Sequence, residues 1–235
     1  MELIGYSTGS LARADVRRAL QMLEPRDTGA LELSALRAHE LPPLLNLVAD
    51  LVLDRYRTVS VHAPSAFPAA QEPMIAAALL PVARRGWLVI VHPDTLHDYA
   101  LWAPFGDRLA IENMDRRKRL GRTADELWDV FARLPEASFC LDLAHAWHYD
   151  PSMVEAARLL TAFGERLAEV HVSELDADSR HIRLSPAVIG VYQAFAELIP
   201  VHVPVIIEAP VEPDEIDAEL EASMIALGRL VSCCA

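Results

Sequence analysis

Short apolar runs and amphipathic stretches take turns along this chain. Runs at 3–6, 29–34, 58–62, 87–92, 109–112, 138–142, 168–171 and 204–208 have the length and composition of buried strands. Between them apolar residues recur at helical spacing: 14–23, 42–53, 74–83, a short piece at 96–102, a stretch opened by Thr123 and running to Leu134, then 152–163, 186–198 and 214–230. Thr123 with Glu126 three residues on reads as an N-cap and its capping-box partner. Gly86 reads as a C-cap after Arg84 and Arg85, and Arg229 as the basic end of the last helix, where the helix dipole favours a cation. Ser7-Thr8-Gly9-Ser10 reads as a loop.

Alternation of strand and helix means parallel strands, and eight units predict an α/β fold, a compact, closed (β/α)8 TIM barrel in one domain spanning 1–235. No Ser/Gly tract or change of composition marks a second domain. An open doubly wound sheet would need a glycine-rich phosphate loop after the first strand, and Gly5-Tyr6-Ser7-Thr8-Gly9 does not match one.

The polar residues that end the runs carry the chemistry. His62, His92, Glu112, Asp142, His171 and Glu208 each close one of them. In a barrel the C-terminal strand ends gather around one mouth, so these six side chains are expected to converge there. Converging imidazoles and carboxylates point to a metal or to acid–base work. His145, one short turn beyond Asp142, can look back at the same point. Glu32 closes another run and reads as either a substrate contact or half of a salt bridge. Cys140, one layer beneath Asp142, reads as barrel packing.

The net charge of −13, from 34 acids against 21 Lys and Arg, argues against broad nucleic-acid binding. Cys140, Cys233 and Cys234 make no disulfide framework, so a reducing, cytoplasmic setting is expected. The N-terminus does not read as a signal peptide. The longest apolar stretch, 74–91, is interrupted by Pro81, Arg84 and Arg85, so no membrane span is expected. Against the acidic background, Asp115-Arg116-Arg117-Lys118-Arg119 is a local positive rim just past Glu112. Arg116 and Arg117 are candidates to hold a substrate phosphate or carboxylate; the alternative is a solvated loop paired with Asp125 and Glu126. Trp147 could stack on a sugar ring or base, or cover the next helix.

At its strand ends the sequence resembles the xylose-isomerase-like TIM-barrel superfamily, which includes sugar isomerases and epimerases, endonuclease IV-type phosphodiesterases and multinuclear non-haem iron oxidases. The resemblance to the epimerases implies one divalent metal on Glu112, Asp142, His171 and Glu208, with Glu112 and Glu208 exchanging a substrate proton. The other two branches add ligands that match His62, His92 and His145, and end on an Asp-x-His pair. Here that pair reads Ser179-Arg180-His181: the histidine is kept and the acid is missing, with Asp176 and Asp178 nearby. One to three ions of zinc, manganese or iron are implied. So is a small polar substrate such as an anionic sugar. Isomerisation or epimerisation is the first expectation, with His145 as a further catalytic candidate. Phosphodiester hydrolysis and iron-dependent oxidation are the alternatives.

Overall fold

The structure, a computed structural model, describes residues 2–229. In chain order the strands are β1 (Glu2–Ser7), β2 (Thr28–Ser34), β3 (Thr58–His62), β4 (Leu88–Val91), β5 (Leu109–Glu112), β6 (Ser138–Asp142), β7 (Leu167–Val172), β8 (Glu174–Leu175), β9 (His181–Ile182) and β10 (Val205–Ile207). Eight of them are parallel and close a barrel in the order β1-β10-β7-β6-β5-β4-β3-β2; β8 and β9 form a separate antiparallel ribbon. The helices are α1 (Thr8–Ala12), α2 (Val16–Leu23), α3 (Leu41–Ala49), α4 (Glu72–Arg84), α5 (Ala124–Arg133), α6 (Leu143–Tyr149), α7 (Val154–Phe163), α8 (Pro186–Phe195) and α9 (Ile216–Ala226).

The TIM barrel predicted from the alternating pattern is the fold observed. Strand residues alternate faces. Val89, Val91, Ile111, Leu141, Val170 and Ile207 face outward into the main core beneath the helices. Inside the barrel, Ile90, Ala110 and Cys140 make a small apolar plug of their own, which is where the alternation places Cys140. Gly5 lets β1 close on β2: a Cβ there would lie 1.7 Å from the Ala30 carbonyl oxygen. The expected cap residues are in place, but the Glu126 carboxylate accepts from Arg122 N–H rather than from Thr123 N–H, so the capping box is not closed. Thr123 Oγ1 accepts from Glu126 N–H, and Gly86 takes a positive φ of 85°.

Four connections differ from expectation. Ser7–Ser10 is not a loop, because Thr8 opens α1 and its hydroxyl, buried, accepts from Ser34 N–H; tertiary contact overrides weak propensity here. No α-helix links β4 to β5. Pro93, Pro104 and Gly106 break the path into 3-10 turns, pinned by the buried Glu72 carboxylate, which accepts from His97 N–H, Asp98 N–H and Trp102 Nε1–H. Asp142 caps an additional helix, α6. The last helix ends at Ala226, and the Arg229 guanidinium instead donates to the carbonyls of Val203, Pro200 and Leu3, tying the chain to the N-terminal end of the barrel. Leu230, Cys233 and Cys234 lie outside the described residues. Among the described residues no helix is long and apolar enough to cross a membrane.

Candidate metal centre

Glu112, at the end of β5 and 1% exposed, is the hub of the mouth. Its Oε2 lies 3.1 Å from His62 Nε2 and 3.2 Å from His92 Nε2. Its Oε1 lies 3.2 Å from His145 Nδ1 and 3.6 Å from His171 Nδ1. One carboxylate therefore faces two groups of side chains, one with each oxygen. His62 Nδ1 donates to the Ala63 carbonyl, which turns Nε2 toward Glu112. Asp142 ends β6. Its Oδ1 accepts from His145 N–H at 2.6 Å, and its buried Oδ2 has no hydrogen-bond partner. Asn113 braces this end of the barrel: its side chain donates to the Asp142 carbonyl and accepts from Asp142 N–H. His171 on β7 is fully buried. Its Nδ1 lies 3.6 Å from Glu208 Oε2 and makes no hydrogen bond.

Four sets of donor atoms are each gathered within 4.8 Å among the described residues: His62, His92 and Glu112; Glu112, Asp142, His171 and Glu208; Glu32, His62 and His171; and Cys140, Glu169 and His171; the first two are made wholly of the strand-end residues. All six strand-end residues thus meet at the C-terminal mouth. Burial opposes charge on each of them, and their mutual fields decide the outcome. Burial, opposed by the His171 charge and reinforced by Glu32, Asp142 and Glu112, pushes Glu208 up to about 8. Burial would lower His62, but the carboxylates of Glu32, Glu112 and Glu208 raise it to about 9. His145 is likewise raised to about 10, chiefly by Asp142 and Glu112. Despite its burial, Glu112 is held well below the usual carboxylate range by the surrounding histidines.

His145 and His181 line the same cavity, yet neither joins a convergent donor set among the described residues. His181 is delivered by β9, and its Nδ1 hydrogen-bonds Ser173 Oγ at 2.8 Å. Burial and the His145 charge push it down to about 3. The acid missing from its pair is not replaced. Asp176 spends its carboxylate on the N–H groups of Asp178 and Arg180, Asp178 points outward beside Arg180, and Ser179 Oγ meets the His148 ring. Among the described residues no acid is gathered with His145 and His181 into a convergent donor set.

The mouth cavity measures about 260 Å³. Its lining includes the uncharged Ser7, Ser10, Ser34, Leu36 and Ser65 as well as Asp115, Arg117, Lys118 and the histidines, with His62 in register beside Ser34. Arg117 is tied to Asp115 at 2.7 Å and Lys118 to Asp94 at 2.8 Å, so the rim pairs with these acids rather than with Asp125 and Glu126. Arg116 is exposed and Trp147 packs half-buried against the helical core; the structure brings neither to the cavity wall. Glu32 does form an ion pair, with His171 across the barrel rather than with a loop. Asn113 and Glu169 were not assigned roles from sequence. The signal for Glu169 was its place two residues before His171 on the same strand face. A larger cavity, about 540 Å³, opens at the opposite barrel end, with Thr58, Ser138 and Glu169 in its lining and none of the six strand-end groups. Chemistry in this fold sits at the C-terminal mouth, so the smaller cavity is the candidate site.

The profile of the xylose isomerase-like TIM barrel family matches residues 98–226, more than half of the chain. The chain belongs to this family. Among solved structures, endonuclease IV from Thermus thermophilus superposes with a TM-score of 0.67 at 19% identity, over 97% of this chain and 99% of that one. SacUVDE superposes at 0.54 and 14% identity, over 92% and 86% of the two chains. A putative dehydratase from Mesorhizobium loti does so at 0.53 and 13%, over 88% and 54%. At these identities the likeness is one of fold. No curated protein matches the chain significantly in sequence. For this xylose isomerase-like barrel, the buried and unpartnered Asp142 Oδ2 and His171 Nδ1 test whether a cation suits the mouth. Orphaned buried polar atoms are costly, and a cation between them satisfies both.

Proposed function

We propose that this chain is a metal-dependent enzyme, one catalytic domain throughout 1–235, that hydrolyses a phosphoester of a small anionic substrate at a two-cation centre. The observation that carries this reading is the division of Glu112 between two donor sets, one at each carboxylate oxygen. His62, His92 and Glu112 would hold one cation; Glu112, Asp142, His171 and Glu208 would hold the other. Bound there, the pair supplies Lewis-acid polarisation and a nucleophile at neutral pH. With Glu112 and Glu208 serving as ligands, proton delivery to the leaving group falls to His145 on the cavity wall, which holds its proton at neutral pH. Lys118 keeps ammonium donors beyond the one used by Asp94 and is placed to anchor the substrate anion, beside Arg117. Arg117 and Lys118, the rim cations in the cavity lining, make a pocket-sized patch that supports a single phosphate more readily than a length of duplex.

Sugar isomerisation or epimerisation is the second reading. Cavity size favours it, as does Glu208, whose carboxyl at about 8 binds a proton near neutrality as a proton-exchanging base must. Elemental analysis of the purified chain, followed by assays on bis(p-nitrophenyl) phosphate and on aldose–ketose pairs, tests the two. Two ions per chain and chelator-sensitive phosphoester cleavage support hydrolysis. One ion with aldose–ketose interconversion favours the second reading. Efficient incision of abasic duplex DNA would show that the substrate is not small, and absence of bound metal would overturn both readings.

A further inference from the structure

His171 is held from two sides. Nδ1 faces Glu112 and Glu208 without a hydrogen bond, while Nε2 hydrogen-bonds Glu169 Oε1 at 3.2 Å and lies 3.3 Å from Glu32 Oε2. We propose that Glu169, backed by Glu32, is a positioning residue that fixes His171 as the Nε2–H tautomer and so aims the Nδ1 lone pair at the cation site. The inference rests on the metal reading given above.

A neutral imidazole has one N–H and one lone pair. With the proton on Nδ1, the lone pair would face two buried carboxylates and the N–H would occupy the ligand position. With the proton on Nε2, the N–H meets Glu169 and Nδ1 is free to bind. Glu32 and Glu169 are 0% and 2% exposed, so that bond is shielded from bulk solvent. The carboxylates are themselves fixed. Ser34 Oγ donates to Glu32 Oε1, and Ser34 is tied to Ser7 Oγ at 2.7 Å. Glu169 pairs in register with Cys140, one layer beneath the Asp142–His171 pair, and faces the cavity at the other barrel end. It does not line the mouth, so it can act on the centre only through His171. Metal-bound histidines commonly donate their second N–H to a carboxylate, which sets tautomer and orientation; here the sheet supplies that carboxylate from the same strand.

The test uses the full chain loaded with zinc. Nitrogen-15 NMR of histidine, with His171 assigned from the spectrum of His171→Asn, should place its proton on Nε2. Competition against a chelating dye should show Glu169→Ala binding zinc roughly 10–100-fold more weakly than the parent. Glu169→Gln, which keeps a carbonyl acceptor at the same reach, should recover to within a few-fold. Parent affinity in the Ala variant, equal weakness in the Ala and Gln variants, or a proton on Nδ1 would each overturn the proposal. If the Ala variant does not fold, the parent spectrum still decides. A parent that binds no zinc defeats the metal reading itself, which is a different result from a parent that binds and an Ala variant that binds equally.

Discussion

Glu112 has two oxygens and four imidazole neighbours, which makes it the residue whose loss should separate a shared centre from a single site. Substitutions of groups that merely support a metal ligand cost roughly 10–100-fold. Glu112→Gln removes the shared anion and should leave at most one cation per chain by elemental analysis; two retained cations would refute the bridge. The same cluster sets a pH dependence in the metal-free chain. His62 and His145, at about 9 and about 10, hold protons more tightly folded than at the ordinary 6.5, and Glu208, at about 8, holds one more tightly than at 4.5. Their contribution is complete below the unfolded values and is lost as pH rises through the folded ones. Stability falls with pH wherever the native state carries the extra protons. Urea midpoints of metal-free protein should therefore drop between about pH 6 and about pH 9, and saturating zinc should remove the drop, since cations displace those protons. Glu112, held low, acts in the opposite sense but only in the acid range. The strand-end residues were legible because a polar side chain closing a buried strand has few structural uses. The role of Asn113 was not, because its partner Asp142 is supplied only by the register of β5 and β6; Glu169 shares a strand face with His171, but the second carboxylate on that ring, Glu32, comes from across the lumen and local sequence does not show it.

At the scale of elements, the strands were legible from length and apolarity, and α5 from its cap. The β4–β5 connection was not, since helical spacing at 96–102 is a local signal and the real constraint is remote: three donors converge on Glu72 at the start of α4. A hydrogen bond to a charged group contributes about 1.5–3 kcal/mol, and buried donors left unpaired add to the loss. Glu72→Ala should therefore lower unfolding free energy by about 3 kcal/mol in urea titrations, with metal content unchanged because Glu72 is outside the mouth. Thr123→Ala, which removes one cap bond, should cost only about 1 kcal/mol. The β8–β9 ribbon escaped notice because each strand has two residues, too short for any periodicity. It nevertheless places His181 on the cavity wall.

Across the whole molecule, the buried carboxylates at the mouth repel one another, and a cation that binds only the folded chain stabilises it by mass action, about 2.7 kcal/mol at 100-fold excess over Kd. Chelation should lower the melting temperature measurably; an unchanged curve after verified metal removal would speak against a resident ion. The barrel's interior is layered, with the Ile90–Ala110–Cys140 plug below and the ligand layer above, and the mouth lining holds charged residues and uncharged ones. That division separates two kinds of heritable change. Positions 10, 36 and 65 line the mouth without charge and belong to no gathered donor set, so lineages can drift there and acquire new substrates while the catalytic apparatus stays intact. A directed-evolution library confined to Ser10, Leu36 and Ser65 should thus yield altered substrate preference among variants that still fold, whereas equal diversity spread over the histidines and acids of the lining should yield mostly inactive ones.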